Sequence, residues 1–312
     1  MEHKGLSADL FQRMAGKPRR HDADSDVDPE GNCRRCGTAP HPERQRRAAS
    51  HGHGGIFIGT SGYSYQDWVG PVYPPGTPKT DFLNLYADRF NAVEVNYTYY
   101  RMPTRATLSA MADKAGGRVR FAVKLTDVFT HARSASEAEV VEFLRAVEPL
   151  ADRGVLGCLL AQFPWSFRPS AEAIGHLRAL AVRFAGHRLV IEVRNREWVS
   201  MDFFSLLKEV GAGFCCVDEP QIQGLLPPLE VVTSPVAYLR FHGRNAAKWW
   251  THERPEERYD YRYSPEELAP WIPRIRRMQE NAAETYVFFN NHFEGKAVAN
   301  AEGLIRMLGE GK

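Results

Sequence analysis

The chain has 312 residues, of which 43% are hydrophobic and 25% charged, and its formal net charge is +2 at pH 7. This balance is ordinary for a globular protein that can bury a full core. No apolar run approaches the roughly 18 residues of a membrane span, and the N-terminus lacks a signal-peptide core. We therefore expect a cytoplasmic protein without a membrane segment. Five cysteines, an odd number, do not suggest the disulfide framework of a secreted domain.

Residues 1–54 differ in composition from the remainder. They hold ten Lys/Arg and eight Asp/Glu but little that could fill a core, so we predict a disordered polar tail.

The chain has 40 basic and 38 acidic residues, and subtracting those of the tail leaves 30 of each for a domain at 55–312. A domain without net charge argues against nonspecific binding to nucleic acid. Cys33 and Cys36 form a CxxC. Its downstream histidines lack the paired spacing of a structural zinc site, so we favour incidental cysteines, with metal binding as the alternative.

Eight short apolar runs recur along residues 56–290, and most of them end in a polar or charged residue. Near-continuous apolar runs of this length are typical of parallel strands that are buried on both faces. The predicted strands are residues 56–60, 92–96, 119–124, 155–163, 188–194, 213–218, 236–242 and 285–291.

Helical periodicity and start signals separate most of these runs. Glu139 and Glu267, three residues after Ser136 and Ser264, predict capping boxes. Two prolines within residues 270–273 fall inside the second of these helices, which must therefore kink or restart there. The predicted N-caps are Thr104, Ser136, Ser170 and Ser264.

Alternating strands and helices predict the fold class. The repeat from Ile56 to Leu308 spans 253 residues, close to the roughly 250 of an eightfold barrel. We predict an α/β protein with a TIM-type (β/α)8 barrel, and a doubly wound open sheet is the alternative.

Polar and charged residues collect at the C-terminal ends of the predicted strands, where such barrels build their active sites. Desolvated charges in such a cluster favour a functional site, although each could also belong to a structural ion pair, for example Lys124 with Glu94. The candidate catalytic residues are Glu94, Lys124, Glu192, Asp218 and His242. The candidate substrate-binding residues at the rim are Ser61, Asn96, Gln162, Arg194, Arg240, Asn290 and His292, with the loop residues Tyr63, Trp68, Tyr100, Arg101 and Arg244.

A series of motifs follows the strands in order: GTSGYSYQDWVGPVYP, FNAVEVNYTYYRMP, RFAVK, LGCLLAQFPWSF, EVRNREW, YLRFHG and NNHFEGKAVANA. From about Ile56 to Leu308 the chain resembles the YecE-like family, the domain of unknown function numbered 72. The resemblance implies an eight-stranded β/α barrel, adds His131 to the binding candidates and does not fix a reaction. Tyr63 departs from the Trp that is usual in the family, and the residues HARS after Thr130 replace a longer insert.

The rim chemistry favours an enzyme that uses acid/base groups on a small anionic sugar- or nucleotide-type substrate, without a cofactor. His242 would serve as a proton shuttle, and Arg101, Arg194, Arg240 and Arg244 would hold a carboxylate or phosphate. One alternative is a nucleic-acid-processing enzyme or binder of the apurinic-endonuclease kind, which we do not favour because the rim arginines and Lys124 would repel a divalent metal. The other is a non-catalytic module that binds an anion or a sugar. The oligomeric state is not predicted.

Overall fold

The computed structural model describes residues 55–310. The predicted tail at 1–54, with Cys33 and Cys36, lies outside the described residues. Eight parallel strands pair in chain order and the last pairs with the first, so the sheet closes into a barrel and confirms the predicted fold. The strands are β1 (Gly55–Ser61), β2 (Ala92–Val95), β3 (Arg120–Lys124), β4 (Leu156–Gln162), β5 (Leu189–Glu192), β6 (Gly213–Asp218), β7 (Val236–Phe241) and β8 (Glu284–Phe289).

Helices follow most of the strands. Among residues 55–310 they are α1 (Phe82–Ala87), α2 (Arg105–Ala115), α3 (Asp127–Thr130), α4 (Glu137–Asp152), α5 (Ala171–Arg183), α6 (Met201–Glu209), α7 (Pro265–Leu268), α8 (Trp271–Glu280) and α9 (Lys296–Glu310). Short 3-10 helices occur at Gln66–Trp68, Lys79–Asp81, Tyr97–Tyr99, Arg196–Trp198, Pro255–Tyr259 and Phe293–Gly295. No helix in this part of the chain is long and apolar enough to cross a membrane.

The predicted helix starts are confirmed. Thr104 and Ser170 accept hydrogen bonds from the backbone three residues on, and Ser136 and Ser264 form the two capping boxes. The proline conflict is resolved by a restart, because α7 ends at Leu268 and α8 begins after Pro270. A proline at the first helical turn lacks only an N–H that would be unpaired there anyway.

The connection from β6 to β7 lacks a helix between residues 219 and 235. Cys216, at the outer face of β6, ties this segment down, since its Sγ lies 3.3 Å from the backbone N of Val231 and 3.5 Å from the carbonyl O of the same residue. This buried thiol therefore holds the connecting segment against the outer face of the barrel.

Side chains of alternate strand positions fill the barrel interior, as the period of two requires. Arg240 on β7 reaches Glu94 on β2 and Glu192 on β5, strands that are not its neighbours, so these contacts cross the barrel axis. Tyr238, one interior position below Arg240, also crosses and donates to Glu94 at 2.6 Å. Charged side chains therefore lie at both ends of the interior, because Glu284 at the start of β8 pairs with Arg188 before β5.

Candidate active site

A cavity of about 390 Å³ opens at the C-terminal end of the barrel. We call it the rim cavity. Many of the residues selected from the sequence line it: Tyr63, Glu94, Asn96, Tyr100, Lys124, Gln162, Arg194, Arg240, Asn290 and His292. The loops bring these side chains together because every parallel strand ends at the same rim.

A buried ion cluster, formed by Glu94, Glu192, Arg194, Arg240 and His242, makes the floor of this region. Arg240 is 2% exposed, and its two terminal nitrogens bind one carboxylate each, at 2.7 Å for Glu94 and 2.6 Å for Glu192. Buried charges of this kind need good partners, since an unpaired charge in the interior is strongly destabilising. The two guanidiniums and two carboxylates balance in formal charge.

Glu192 is the acceptor on which three members of the cluster converge. Burial alone would raise the pKa of Glu192, but the charges of Arg240 and Arg194 hold it well below its usual range. His242 contacts Glu192 through Nε2 at 3.2 Å and Asn290 through Nδ1 at 3.1 Å. Burial and the nearby charge of Arg194 lower the pKa of His242 to about 3. A neutral ring that donates from Nε2 to Glu192 and accepts at Nδ1 from Asn290 satisfies both contacts.

The amine of Lys124 is in a different situation, because it faces the rim cavity. Nζ donates to Gln162 Oε1 at 2.7 Å and lies 4.2 Å from the centre of the Tyr99 ring. Burial, and next the positive charge of Arg240, lower the pKa of Lys124 to about 7. An ordinary lysine stays protonated up to about pH 10. Lys124 is therefore poised to gain or lose a proton near neutrality.

Several polar atoms around the rim cavity have no hydrogen-bond partner among the described residues. They include Asn96 Oδ1 and the hydroxyl of Tyr97, both of them shielded from solvent. Burial raises the pKa of Tyr97 to about 12, so its hydroxyl keeps its proton and needs an acceptor. Buried polar groups are almost always satisfied. These two atoms are therefore unsatisfied polar groups within the wall of the rim cavity.

Glu219 is a buried carboxyl beside the cluster that the sequence analysis did not select. Oε1 accepts from the backbone N of Leu226 at 3.0 Å, and Oε2 lies 3.9 Å from Arg194. Burial raises the pKa of Glu219 to about 7, although Arg194 opposes the shift. Glu219 directly follows Asp218 in the sequence, and the strand period of two could have drawn attention to it.

Asp218 does not face the barrel interior, contrary to the prediction. Its carboxylate accepts from Tyr263 at 2.7 Å and Trp271 at 2.8 Å and forms a two-point pair with Arg244. Cys215 lies beside Glu192 in the interior, and three residues further along the strand the side chain points outward. Asp218 thus fastens helix α8 and the loop after β7 to the barrel. Arg244, which also contacts Glu267, is held here and does not line the rim cavity.

Other selected residues are packed away from the rim cavity. Trp68 is fully buried and donates from Nε1 to the carbonyl of His292, so it joins two loops. Ser61 is also fully buried, with Oγ 3.5 Å from Arg240. Arg101 lies over the ring of Tyr97 outside the cavity lining. None of these three residues lines the rim cavity.

His131, added by the resemblance, also lies outside the cavity lining. Its ring packs edge-on against Tyr99 at 4.9 Å, and Nδ1 lies 3.0 Å from the hydroxyl of Thr130. Burial and the charge of Lys124 lower the pKa of His131 to about 4. It supports the aromatic ring beneath which the lysine amine sits.

The contacts in this structure differ from two interpretations of the sequence, the alternative ion pair of Lys124 with Glu94 and the proton shuttle at His242. The amine of Lys124 pairs with Gln162 rather than with Glu94, whose oxygens are taken by Arg240, Asn96 and Tyr238. His242 is fully buried and does not line the rim cavity, so it is not placed to shuttle protons to a ligand. Glu192 is likewise enclosed by its partners.

Aromatic walls were only partly anticipated. Tyr65, Tyr97 and Tyr99 line the rim cavity, as does Tyr259 from the long loop after β7. The Tyr65 ring stacks on His292 with centroids 4.4 Å apart. The first three follow strand ends and could have been selected for that reason. Nothing in the sequence distinguishes Tyr259 from the other aromatic residues of its loop.

Metal-binding chemistry needs several suitable ligands in one place. Within residues 55–310 no group of three or more His, Cys, Asp or Glu side chains converges in a way that could hold an ion. The acidic residues of the cluster are instead neutralised by arginines.

Comparisons with known proteins agree with this architecture. A family model described as "Protein of unknown function DUF72" matches residues 57–312. The UPF0759 protein YunF of Bacillus subtilis (strain 168) is 29% identical over 269 residues, which cover 81% of this chain and 94% of that protein. A crystal structure of a DUF72 family protein from Thermotoga maritima MSB8 has a TM-score of 0.76 and 36% identity and covers 82% of this chain and 99% of its own. A second, from Enterococcus faecalis V583, has a TM-score of 0.73 and 27% identity, with 81% and 95% covered.

Proposed function

The chain belongs to the DUF72 family, and we propose that its barrel is an enzyme that uses acid/base chemistry on a small anionic molecule of the sugar or nucleotide type. The observation that carries the proposal is the amine of Lys124, which faces the rim cavity with a pKa of about 7. A group that titrates near the working pH is the most effective general base or acid. Strongly shifted pKa values in a cleft favour a functional site.

The charges around the rim cavity support an anionic substrate. Arg240 binds Glu94 and Glu192 through its two terminal nitrogens, so these nitrogens are not available to a ligand. Arg194 also lines the cavity, and among residues 55–310 its terminal nitrogens have no acidic partner closer than Glu219 at 3.9 Å. A guanidinium with open donors is well suited to bind a carboxylate or phosphate. We therefore propose that Arg194 binds the anion and Lys124 transfers the proton.

The remaining lining favours a ring-shaped polar substrate. Tyr63, Tyr99 and Tyr100 offer aromatic faces, on which sugar rings and nucleobases pack. In the reaction the neutral amine of Lys124 would accept a proton from the substrate, and the resulting ammonium would return it. Gln162 would orient the amine.

Anion binding is tested with sulfate, whose charge is constant across neutral pH. Calorimetric titration of the wild type should show binding that weakens as the pH rises through about 7, because Lys124 loses its charge. Arg194→Gln should abolish this binding, and Lys124→Met should remove its pH dependence. Arg178→Gln, which alters an exposed ion pair with Glu209, is the matched control and should bind as the wild type does.

Turnover is tested with a panel of phosphorylated and carboxylated sugars and nucleotides followed by mass spectrometry. A substrate should be consumed by the wild type with a rate that changes through pH 7, and Lys124→Met should abolish that reaction while the protein still binds sulfate. Turnover by Lys124→Met at the wild-type rate would contradict the proposal. Specific binding of panel members without any turnover would favour the non-catalytic alternative. No contact among the described residues specifically favours nucleic-acid processing.

A further inference from the structure

The geometry of the rim cavity points to covalent rather than only proton-transfer use of Lys124. We propose that the Lys124 amine forms an imine with a small aldehyde or ketone that carries a carboxylate or phosphate. The inference rests on the proposed function, because it assigns the substrate of the same site to one chemical class. It adds that the substrate's reacting atom is a carbonyl carbon.

The first supporting observation is how the amine is held. Among residues 55–310 Nζ has a single hydrogen bond, to Gln162 Oε1 at 2.7 Å, and the Tyr99 ring covers it at 4.2 Å. A neutral amine can donate one N–H to Gln162 and still direct its lone pair away from that bond. Desolvation and a nearby cationic group are the conditions that make a lysine nucleophilic at neutral pH. Arg240 and Arg194 supply positive charge here without competing for the amine.

The second observation is what surrounds the amine. Imine formation joins the amine nitrogen to the carbonyl carbon, and the carbonyl oxygen then leaves as water with the two protons that the nitrogen gives up. The departing oxygen needs a hydrogen-bond donor. The terminal N–H groups of Arg194 line the same cavity and have no acceptor within hydrogen-bond distance among residues 55–310, so they can serve. No oxidant or reductant is required.

The third observation is a place for the acidic group. Arg194 has open donors in the same cavity, so it can hold a carboxylate or phosphate while the carbonyl meets Lys124. A neutral carbonyl compound would lack this anchor. The proposal therefore predicts selectivity for anionic carbonyl compounds over neutral ones of the same size.

Reductive trapping tests the inference. The full chain is treated with glyoxylate or pyruvate and sodium cyanoborohydride at pH 7, and peptides are mapped by mass spectrometry. Lys124 should carry the reduced adduct and exceed the exposed Lys208 in labelling by roughly three orders of magnitude, because at pH 7 a pKa of about 7 leaves about half of an amine neutral, whereas the reference lysine value of about 10.4 leaves less than about a thousandth. Arg194→Gln should reduce labelling by glyoxylate but leave labelling by propionaldehyde unchanged. Lys208→Met is the matched control and should leave the Lys124 adduct intact.

Acetic anhydride, which modifies any accessible neutral amine, separates this inference from the function on which it rests. If acetic anhydride modifies Lys124 at pH 7 but neither carbonyl acid can be trapped there, the imine is refuted and the acid/base proposal stands. If neither reagent reaches Lys124 while Lys208 reacts, both are overturned.

Discussion

At the scale of single residues, Glu192 is the centre of the buried ion cluster. It lies 2.6 Å from both Arg194 and Arg240 and is fully buried. We expect Glu192→Gln to lower the free energy of unfolding by about 3 kcal/mol or more, because it leaves buried guanidiniums short of a counter-charge. Urea unfolding measures this loss.

The control for that change is Glu209→Gln, which removes the carboxylate of an exposed pair with Arg178. Surface pairs contribute little to stability, so its unfolding midpoint should stay near that of the wild type. Equal midpoints for the two variants would show that the cluster is not a structural unit.

Lys124 should affect stability in the opposite sense from Glu192. Its pKa is about 7 in the folded protein and higher when unfolded, so between these values the unfolded chain binds more protons. The wild type should therefore gain stability relative to Lys124→Met as the pH rises from 7 to 9, by up to about 1.4 kcal/mol per pH unit. Urea unfolding of both proteins across this range measures the difference. Parallel pH profiles would mean that Lys124 is charged and solvated throughout.

The sequence located most residues of the rim cavity but not their partners. Strand ends identified Lys124 and Glu94 as neighbours on adjacent strands, and the structure separates their interactions because Arg240 crosses the barrel to Glu94. Which side chain crosses depends on its length and on the position of strands far apart in the sequence. Asp218 was misplaced for a simpler reason, since one strand position decides between the interior and the helix layer.

At the scale of elements, Gly59 in β1 shows how closely the strands of the barrel approach other groups. A Cβ at this position would lie 1.9 Å from the carbonyl oxygen of Ala92 and 2.6 Å from the hydroxyl of Tyr86. Backbone atoms cannot yield easily, so Gly59→Ala should destabilise the protein by at least the 1 to 3 kcal/mol or so that is usual for overpacking. Thermal and urea unfolding measure this cost.

Gly175, in the middle of helix α5, is the matched comparison. No atom lies within 4 Å of a Cβ added there. Because alanine favours the helix over glycine by roughly 0.5–1 kcal/mol, Gly175→Ala should raise stability. If the two Gly→Ala substitutions change the free energy of unfolding in opposite directions, the effect depends on the space around each Cβ and not on the amino-acid change itself. A loss of stability at Gly175 would contradict this account.

Local sequence signals predicted the helices and strands better than the segments that connect them. The capping residues Ser136 and Ser264 act within three residues of themselves, so the sequence alone suffices to recognise them. The helix-free segment between β6 and β7 carries no such signal. It is held by contacts with the barrel wall, among them those of Cys216, which only the closed sheet creates.

At the scale of the whole molecule, the buried ion cluster joins opposite sides of the barrel. Glu94, Glu192 and Arg240 come from β2, β5 and β7, so their contacts exist only when the sheet is closed. Protonation of the cluster should therefore be linked to unfolding of the entire domain rather than to local fraying. The decrease in the free energy of unfolding as the pH is lowered measures this linkage.

His242 provides the sharpest test of that linkage. The pKa of His242 is about 3 in the folded protein and near the reference value of about 6.5 in the unfolded chain. As the pH falls between these values, the unfolded chain therefore binds a proton that the folded protein does not bind. The free energy of unfolding should decrease between pH 6 and pH 4, with His242 contributing up to about 1.4 kcal/mol per pH unit. In His242→Asn the absolute stability will change, but this part of the slope should vanish. His252→Gln, in the long loop after β7, should keep the wild-type slope. If His242→Asn retains the full slope, the histidine is protonated in the folded barrel and the neutral ring between Glu192 and Asn290 is wrong.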